Sequence, residues 1–452
     1  MLRANEKAEE AGIPTAALVC TGFMGQAKAT TVGLGYPDMP LAHVPGHTGV
    51  QSPEEIYNNV MNVTLDCVIA NLTEATSSVE VDEEPGPRDI VARGGFFEIN
   101  EEFIKNEWGD GLPVVPPTRA RVEEFLSHTR RRPDEVMGVM LPDRRTATVW
   151  SVAVNGVMAG CRPEYMPILL ALAEAMIDKR YGVEHSGNTP GAETLIILNG
   201  PVIKRFGFNY TQGVMRDGFQ PNTSVGRFWR LFLRNVAGFL PHRTDKGTYG
   251  NTWRVVVPEN EEALEKLGWK SIAMEAGFSR DDSTVTVARY TGGDLIASLS
   301  GHTPEQLCDY LSDAMFRHIS WQICFSHGRG YGTLRPLIML TPILAETIAQ
   351  AGWSKDDIRQ YVFDHARIPA WEFERQLRDW NGRPVWSLTE EAKAGRIPAF
   401  FAESDDPNRK VPLVWSPDQY MIAISGDPLR TNGYVFAHNG HLGFPTTKKI
   451  DI

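Results

Sequence analysis

At 452 residues the chain is long enough to bury two or three hydrophobic cores. Its 42% hydrophobic and 22% charged content is that of a soluble globular protein, and a net charge of -11 argues against nucleic acid as the main partner. The five cysteines form no CxxC and no paired framework, Met1–Glu10 lacks the apolar core of a signal peptide, and no apolar run approaches the ~18 residues that a membrane span needs, so a cytoplasmic protein with reduced thiols and no membrane contact is expected.

Residues 1–72 read as half of a small, incomplete Rossmann-like α/β domain. A helical pattern over Leu2–Ala11 stops at Gly12, and Thr15–Cys20 reads as a buried strand. After a Thr21-Gly22 turn, a second helical stretch runs to near Gly33. Leu41–Val44 predicts a short strand, Pro45-Gly46-His47-Thr48-Gly49 a turn, and Ser52-Pro53-Glu54-Glu55 the cap of a helix reaching Leu72. A chain opening on a helix that feeds a buried strand lacks the usual first βα unit of such a sheet. Either the domain is small or another polypeptide completes it, which points to an oligomer.

Residues 73–97 read as a linker, polar and acidic and then stiffened by Pro85-Gly86-Pro87. Residues 98–452 read as a larger α/β domain, helical over Asn100–Glu107 and Arg121–Ser127, with a shaped loop rich in Gly and Pro between, Trp108–Thr118. Further on, Thr194–Leu198, Leu337–Leu340 and Tyr420–Ser425 predict strands, and Phe228–Val236 predicts an amphipathic helix capped by Gln220–Arg227. Gly160-Cys161-Arg162-Pro163-Glu164 opens a helix over Tyr165–Asp178, and Gly301-His302-Thr303-Pro304-Glu305 opens one over Gln306–Phe316. The Pro-Glu steps lie 141 residues apart and the strands that follow lie 142 apart, which predicts a degenerate internal duplication with a pseudo-twofold axis.

Cys161 is the leading chemical candidate. A thiol at a helix start beside Arg162 should have a lowered pKa and act as a nucleophile, the alternative being a small buried cysteine that packs a helix cap. His302 holds the matching place in the second copy and is expected to face Cys161 across the axis. Asp110, His185 and His327 sit in polar Gly-rich loops suited to substrate contact, with Arg162 a further substrate-binding candidate, while Asn222, Thr223 and Ser224 offer helix-start amides, and Arg227 a charge, to a carboxylate. His43 and His47, and His438 and His441 with Asp427, are weak metal sets, so no metal ligand is assigned, and Cys20 reads as core packing. The sequence names no cofactor: Walker A, GxGxxG, HExxH and GxSxG patterns are all missing.

Ala11-Gly12-Ile13-Pro14-Thr15, Val19-Cys20-Thr21, Pro45–Gly49 and Ser52-Pro53-Glu54-Glu55 together resemble the C-terminal half of the selenoprotein B subunit of glycine, sarcosine and betaine reductases. They resemble the bacterial UGSC family of selenoproteins, and its cysteine forms, more closely still. In those families a Sec- or Cys-containing motif lies just upstream of the stretch that Glu6–Gly12 matches, so the resemblance implies a partner subunit carrying that half-domain. The family's proline-histidine turn is altered here to Pro45-Gly46-His47. Asp110–Thr118, Met158–Pro167, Asn222–Asn235, Asp282–Val287, Gly352–Pro369 and Pro445-Thr446-Thr447-Lys448 are similar to an uncharacterised bacterial family associated with UGSC proteins. The resemblance implies a subunit of an enzyme complex using thiol chemistry for reductive cleavage or lysis of a carbon-heteroatom bond in a small organic acid or amine. A non-catalytic substrate-binding or scaffold subunit, and a metal-dependent hydrolase, are the alternatives.

Overall fold

The computed structural model describes residues 2–74, 85–251, 255–319, 332–381 and 386–452. Helix α1 (Leu2–Glu10) leads to strand β1 (Ala17–Cys20), helix α2 (Met24–Gly33) and strand β2 (Leu41–Val44), which pairs parallel with β1. The strand begins later than Thr15 because the Glu9 carboxylate accepts from both Thr15 N–H and its hydroxyl, diverting that backbone from a ladder. Ser52 caps helix α3 (Pro53–Asn59) reciprocally: its hydroxyl accepts from Glu55 N–H, and the Glu55 carboxylate accepts from Ser52 N–H. A π turn over Val60–Thr64 carries α3 into α4 (Leu65–Thr73).

This small unit is docked on the remainder of the chain. Buried Glu6 pairs with Arg144, Gln26 donates to Thr244 O, and Lys246 donates to Gly22 O at 2.6 Å. At Gly33 the contact is backbone to backbone, and a Cβ there would strike the Pro142 carbonyl.

Helix α5 (Phe96–Lys105) starts inside the stretch expected to be linker, because Glu98 reaches back to cap it at Gly95 N–H. Helix α6 (Arg119–Leu126), the hairpin of β3 (Val136–Met140) and β4 (Arg145–Thr148), and α7 (Val149–Met158) follow. The first repeat unit runs α8 (Met166–Ile177), β5 (Glu193–Asn199), α9 (Val202–Phe206), α10 (Gln220–Asn235), β6 (Val256–Pro258), α11 (Glu261–Leu267), α12 (Ile272–Glu275) and β7 (Thr284–Ile296). The second runs α13 (Pro304–Ile319), β8 (Leu337–Leu340), α14 (Pro342–Gln350), α15 (Lys355–His365), β9 (Arg367–Pro369), α16 (Ala370–Asn381), β10 (Lys410–Pro412), β11 (Met421–Ile424) and β12 (Gly433–His438), before β13 (Thr446–Lys449) returns beside β7.

The main sheet has the order β11-β8-β12-β7-β5-β6. In the first unit β5 has β6 parallel on one side and β7 antiparallel on the other; in the second, β8 has β11 parallel and β12 antiparallel. The two halves meet at the antiparallel β7–β12 pair, so the order reads the same from either edge. Leu198 and Leu340 are equivalent: Glu259 N–H donates to Leu198 O and Ser425 N–H to Leu340 O, each at 3.0 Å. The repeat does not extend upstream, since α8 is preceded by helix α7 and α13 by strand β7.

The sheet curls into a half-barrel. Its edge strands meet at their carboxyl ends, where Asn260 N–H donates to Ile424 O at 2.7 Å and Ile424 N–H to the buried Glu259 carboxylate at 3.2 Å. Alternation along the strands sorts the side chains between faces. Leu195, Ile197, Tyr290, Leu337, Met339 and Phe436 form one cluster drawn from both units, which is the enclosed face. Ile196, Leu198 and Val287 pack outward with α7, α8 and α10, while Ile338, Leu340 and Val435 pack outward with α13, α14 and α15. Among the described residues no helix is long and apolar enough to cross a membrane.

Candidate functional site

Gly160, at φ +75°, turns the chain out of α7, and Cys161 N–H closes the turn on Gly156 O at 3.1 Å. The Cys161 side chain joins the core between α7, α8 and α10 and is 9% exposed. Burial pushes its thiol up to about 12, while a hydrogen bond with Ser224 and the Arg227 charge pull the other way. The expected lowering is therefore reversed, because desolvation of a thiolate outweighs the helix start. Arg162, whose side chain is 60% exposed and 4.0 Å from Glu164, points its charge at solvent.

Around Cys161 three elements converge. Gln220 donates to Gly160 O at 3.0 Å and to Ser224 Oγ at 3.2 Å, and accepts from Tyr165 OH at 2.9 Å. Arg227, two turns along α10, grips Asp110 with two bonds of 2.9 and 2.8 Å and donates to Pro113 O at 3.1 Å. That fork fixes the proline-rich loop over the helix. The sequence marks Ser224 as a helix-start amide for an anion and Gln220 only as the first residue of the cap. Their signal was a run of polar residues at a helix start, which ordinary capping explains equally well.

The remaining candidates go elsewhere. Helix α10 begins at Gln220, with Pro221 in its first turn, so Asn222 and Thr223 lie inside the helix expected to start at Phe228. Asn222 is fully buried; its amide donates to Asn209 O and Val256 O and accepts from Asn209 N–H, pinning a loop to β6. Thr223 Oγ1 accepts from Gly218 N–H at 3.2 Å. His302 does not face Cys161: it sits in a surface cleft with Gln306, Asp309 and Asp313 at the start of α13. The axis relates the two helix starts but leaves each on its own unit. His185 lines another cleft, with Arg180 and Arg335. His327 lies outside the described residues.

The small N-terminal unit holds a second group, at the carboxyl ends of its parallel strands, where ligands bind in open α/β sheets. Thr21 Oγ1 accepts from Gly46 N–H at 2.9 Å and shares a hydrogen bond of 2.8 Å with His43 Nε2. His47 Nδ1 accepts from Gly49 N–H at 3.0 Å, and its ring lies 6.1 Å from that of Phe23. Lys246, from the large domain, brings its ammonium 5.2 Å from the Phe23 ring centre, and partly exposed Cys20 ends β1 beside this group. The two histidines and the thiol were visible in the sequence, but Lys246 comes from more than 200 positions away. Among the described residues, no three His, Cys, Asp or Glu side chains are placed to hold a metal ion.

No curated protein and no solved structure matches the chain. The model of the UGSC family matches residues 4–74, so the group formed by Thr21, His43 and His47 lies within the segment that the chain shares with that family.

Proposed function

We propose that the chain is a subunit of an enzyme complex that uses thiol chemistry to cleave or lyse a carbon-heteroatom bond in a small organic acid or amine. In this reading the reacting centre lies at the carboxyl ends of β1 and β2, and a second polypeptide supplies a Cys- or Sec-containing half-domain. The carrying observation is the family match over 4–74, the segment that contains His43, His47 and Cys20. Two features support a partner. Among the described residues β1 and β2 pair only with each other, leaving two open edges. Leu18 on β1 and Tyr57, Met61, Leu65, Ile69 and Leu72 along α3, the π turn and α4 are exposed apolar groups that such a half-domain would cover.

In the reductive version a dithiol is oxidised to its disulfide and supplies two electrons and two protons to the cleaved bond: the carbon gains a C–H bond, and the leaving heteroatom takes the other proton through a neighbouring acid. His43, held by Thr21, suits that role. The test is to mix the chain with a cysteine-form UGSC subunit and a dithiol, and to follow amine or carboxylate release from glycine, sarcosine and betaine. Turnover should appear only in the mixture and should fall ~100-fold in His43→Ala. A mixture that forms no complex sinks the reading.

The burial of Cys161 favours a second reading, a non-catalytic substrate-holding subunit. That reading requires turnover in the complex to survive His43→Ala and Cys161→Ser alike.

A further inference from the structure

We propose that the cleft between the α8–β5 connection and the β12–β13 turn binds a small molecule through a dianionic oxyanion group, either a phosphate ester or a dicarboxylate. The cleft has a volume of about 550 Å3 and is lined by Lys179, Arg180 and Arg335. Among the described residues none of these three cations makes an ion pair: Arg180 donates to Pro445 O, and Arg335 to the carbonyls of Gly332 and Leu334. The guanidinium carbons of Arg180 and Arg335 lie 5.8 and 5.7 Å from the centre of the one Phe444 ring. Two like charges are thus held around a common ring.

The neighbouring carboxylates are occupied. Glu184 in the cleft pairs with Arg3 at 3.4 Å, Asp178 pairs with Lys448 at 2.7 Å, and Asp418, whose field reaches Arg335, accepts from the Ser416 hydroxyl. A further cation is buried next to the cleft. Arg289 is 3% exposed and spends its N–H groups on the carbonyls of Gly182, Tyr181 and Leu442 and on Ser186 Oγ, and among the described residues it makes no ion pair with a carboxylate. Gly443, at φ +147°, lets the two cleft walls close on Arg289, since a Cβ there would run into the Tyr181 carbonyl. Burial lowers the Arg335 pKa, the Asp418 charge pulls the other way, and Arg180 adds to the lowering. Backbone carbonyls fix these side chains, so little order is lost when an anion arrives. This site is separate from the β1–β2 centre and does not rest on the function proposed for it.

Isothermal titration of the full chain with inorganic phosphate and, separately, with malonate tests the proposal. At least one anion should bind; phosphate alone identifies a phosphate ester as the ligand class and malonate alone a dicarboxylate. Affinity should fall ~10-fold or more in Arg180→Gln and in Arg335→Gln. Lys179→Gln, which removes no backbone contact, should weaken binding with the fold intact by circular dichroism. Binding of neither anion overturns the proposal. So does an equal loss in Lys393→Gln, a surface lysine that pairs with Glu390 and lines no part of the cleft.

Discussion

Arg227 and Asp110 join helix α10 to the proline-rich loop by two parallel bonds, with the carboxylate side chain 4% and the guanidinium side chain 16% exposed. Removing either partner leaves the other charged in a nearly dry place. Asp110→Ala should cost about 3–5 kcal/mol of stability. Arg227→Lys, which keeps the charge and loses the fork, should cost less. Thermal or urea unfolding of the two variants checks the order.

The thiols of Cys161 and Cys308 are both pushed up to about 12 by burial. Cys20 and Cys67 are partly exposed. Iodoacetamide at neutral pH should therefore label Cys20 and Cys67 first and leave Cys161 and Cys308 protected until the chain unfolds, as peptide mass mapping would show. Rapid labelling of Cys161 in the folded chain would restore it as a nucleophile.

The same two thiols set a pH dependence. Their folded pKa lies above the ordinary 9.0, so the native state keeps protons that the unfolded chain releases. Their contribution to stability is complete below about pH 9 and is lost as pH rises from 9 toward 12. The double variant Cys161→Ala, Cys308→Ala should flatten the fall of Tm across that window. An unchanged slope would refute this.

Glu259 holds the half-barrel shut. Its carboxylate accepts from Asn199 Nδ2 at 2.9 Å and Ile272 N–H at 2.7 Å as well as from Ile424 N–H across the seam. Glu259→Ala leaves those buried donors unpaired and should destabilise by roughly 2–5 kcal/mol. Hydrogen exchange should quicken at Asn260 and Ile424, on the two sides of the seam, more than at the β7–β12 junction. Uniform quickening would mean that the seam is not a separate element.

Much of this architecture was legible in the sequence because it rests on local signals. Leu41–Val44 is the strand expected there, Ser52 caps where Ser-x-x-Glu says it must, and α8 lies within the helical pattern expected over Tyr165–Asp178. The two Pro-Glu helix starts, 141 residues apart, precede strands that lie in one sheet, whose order reads the same from either edge. The state of the sites was not legible. A helix start beside an arginine reads as an activated thiol, yet the thiol state of Cys161 was decided by α7, α8 and α10 excluding water from it. Nor did anything near Arg180 announce Arg335 and Phe444, or anything near Gly22 announce Lys246. Periodicity and capping act over one or two turns and are written in neighbouring residues. Desolvation and the summing of charge depend on which distant segments the folded chain brings together, and only the tertiary structure fixes that.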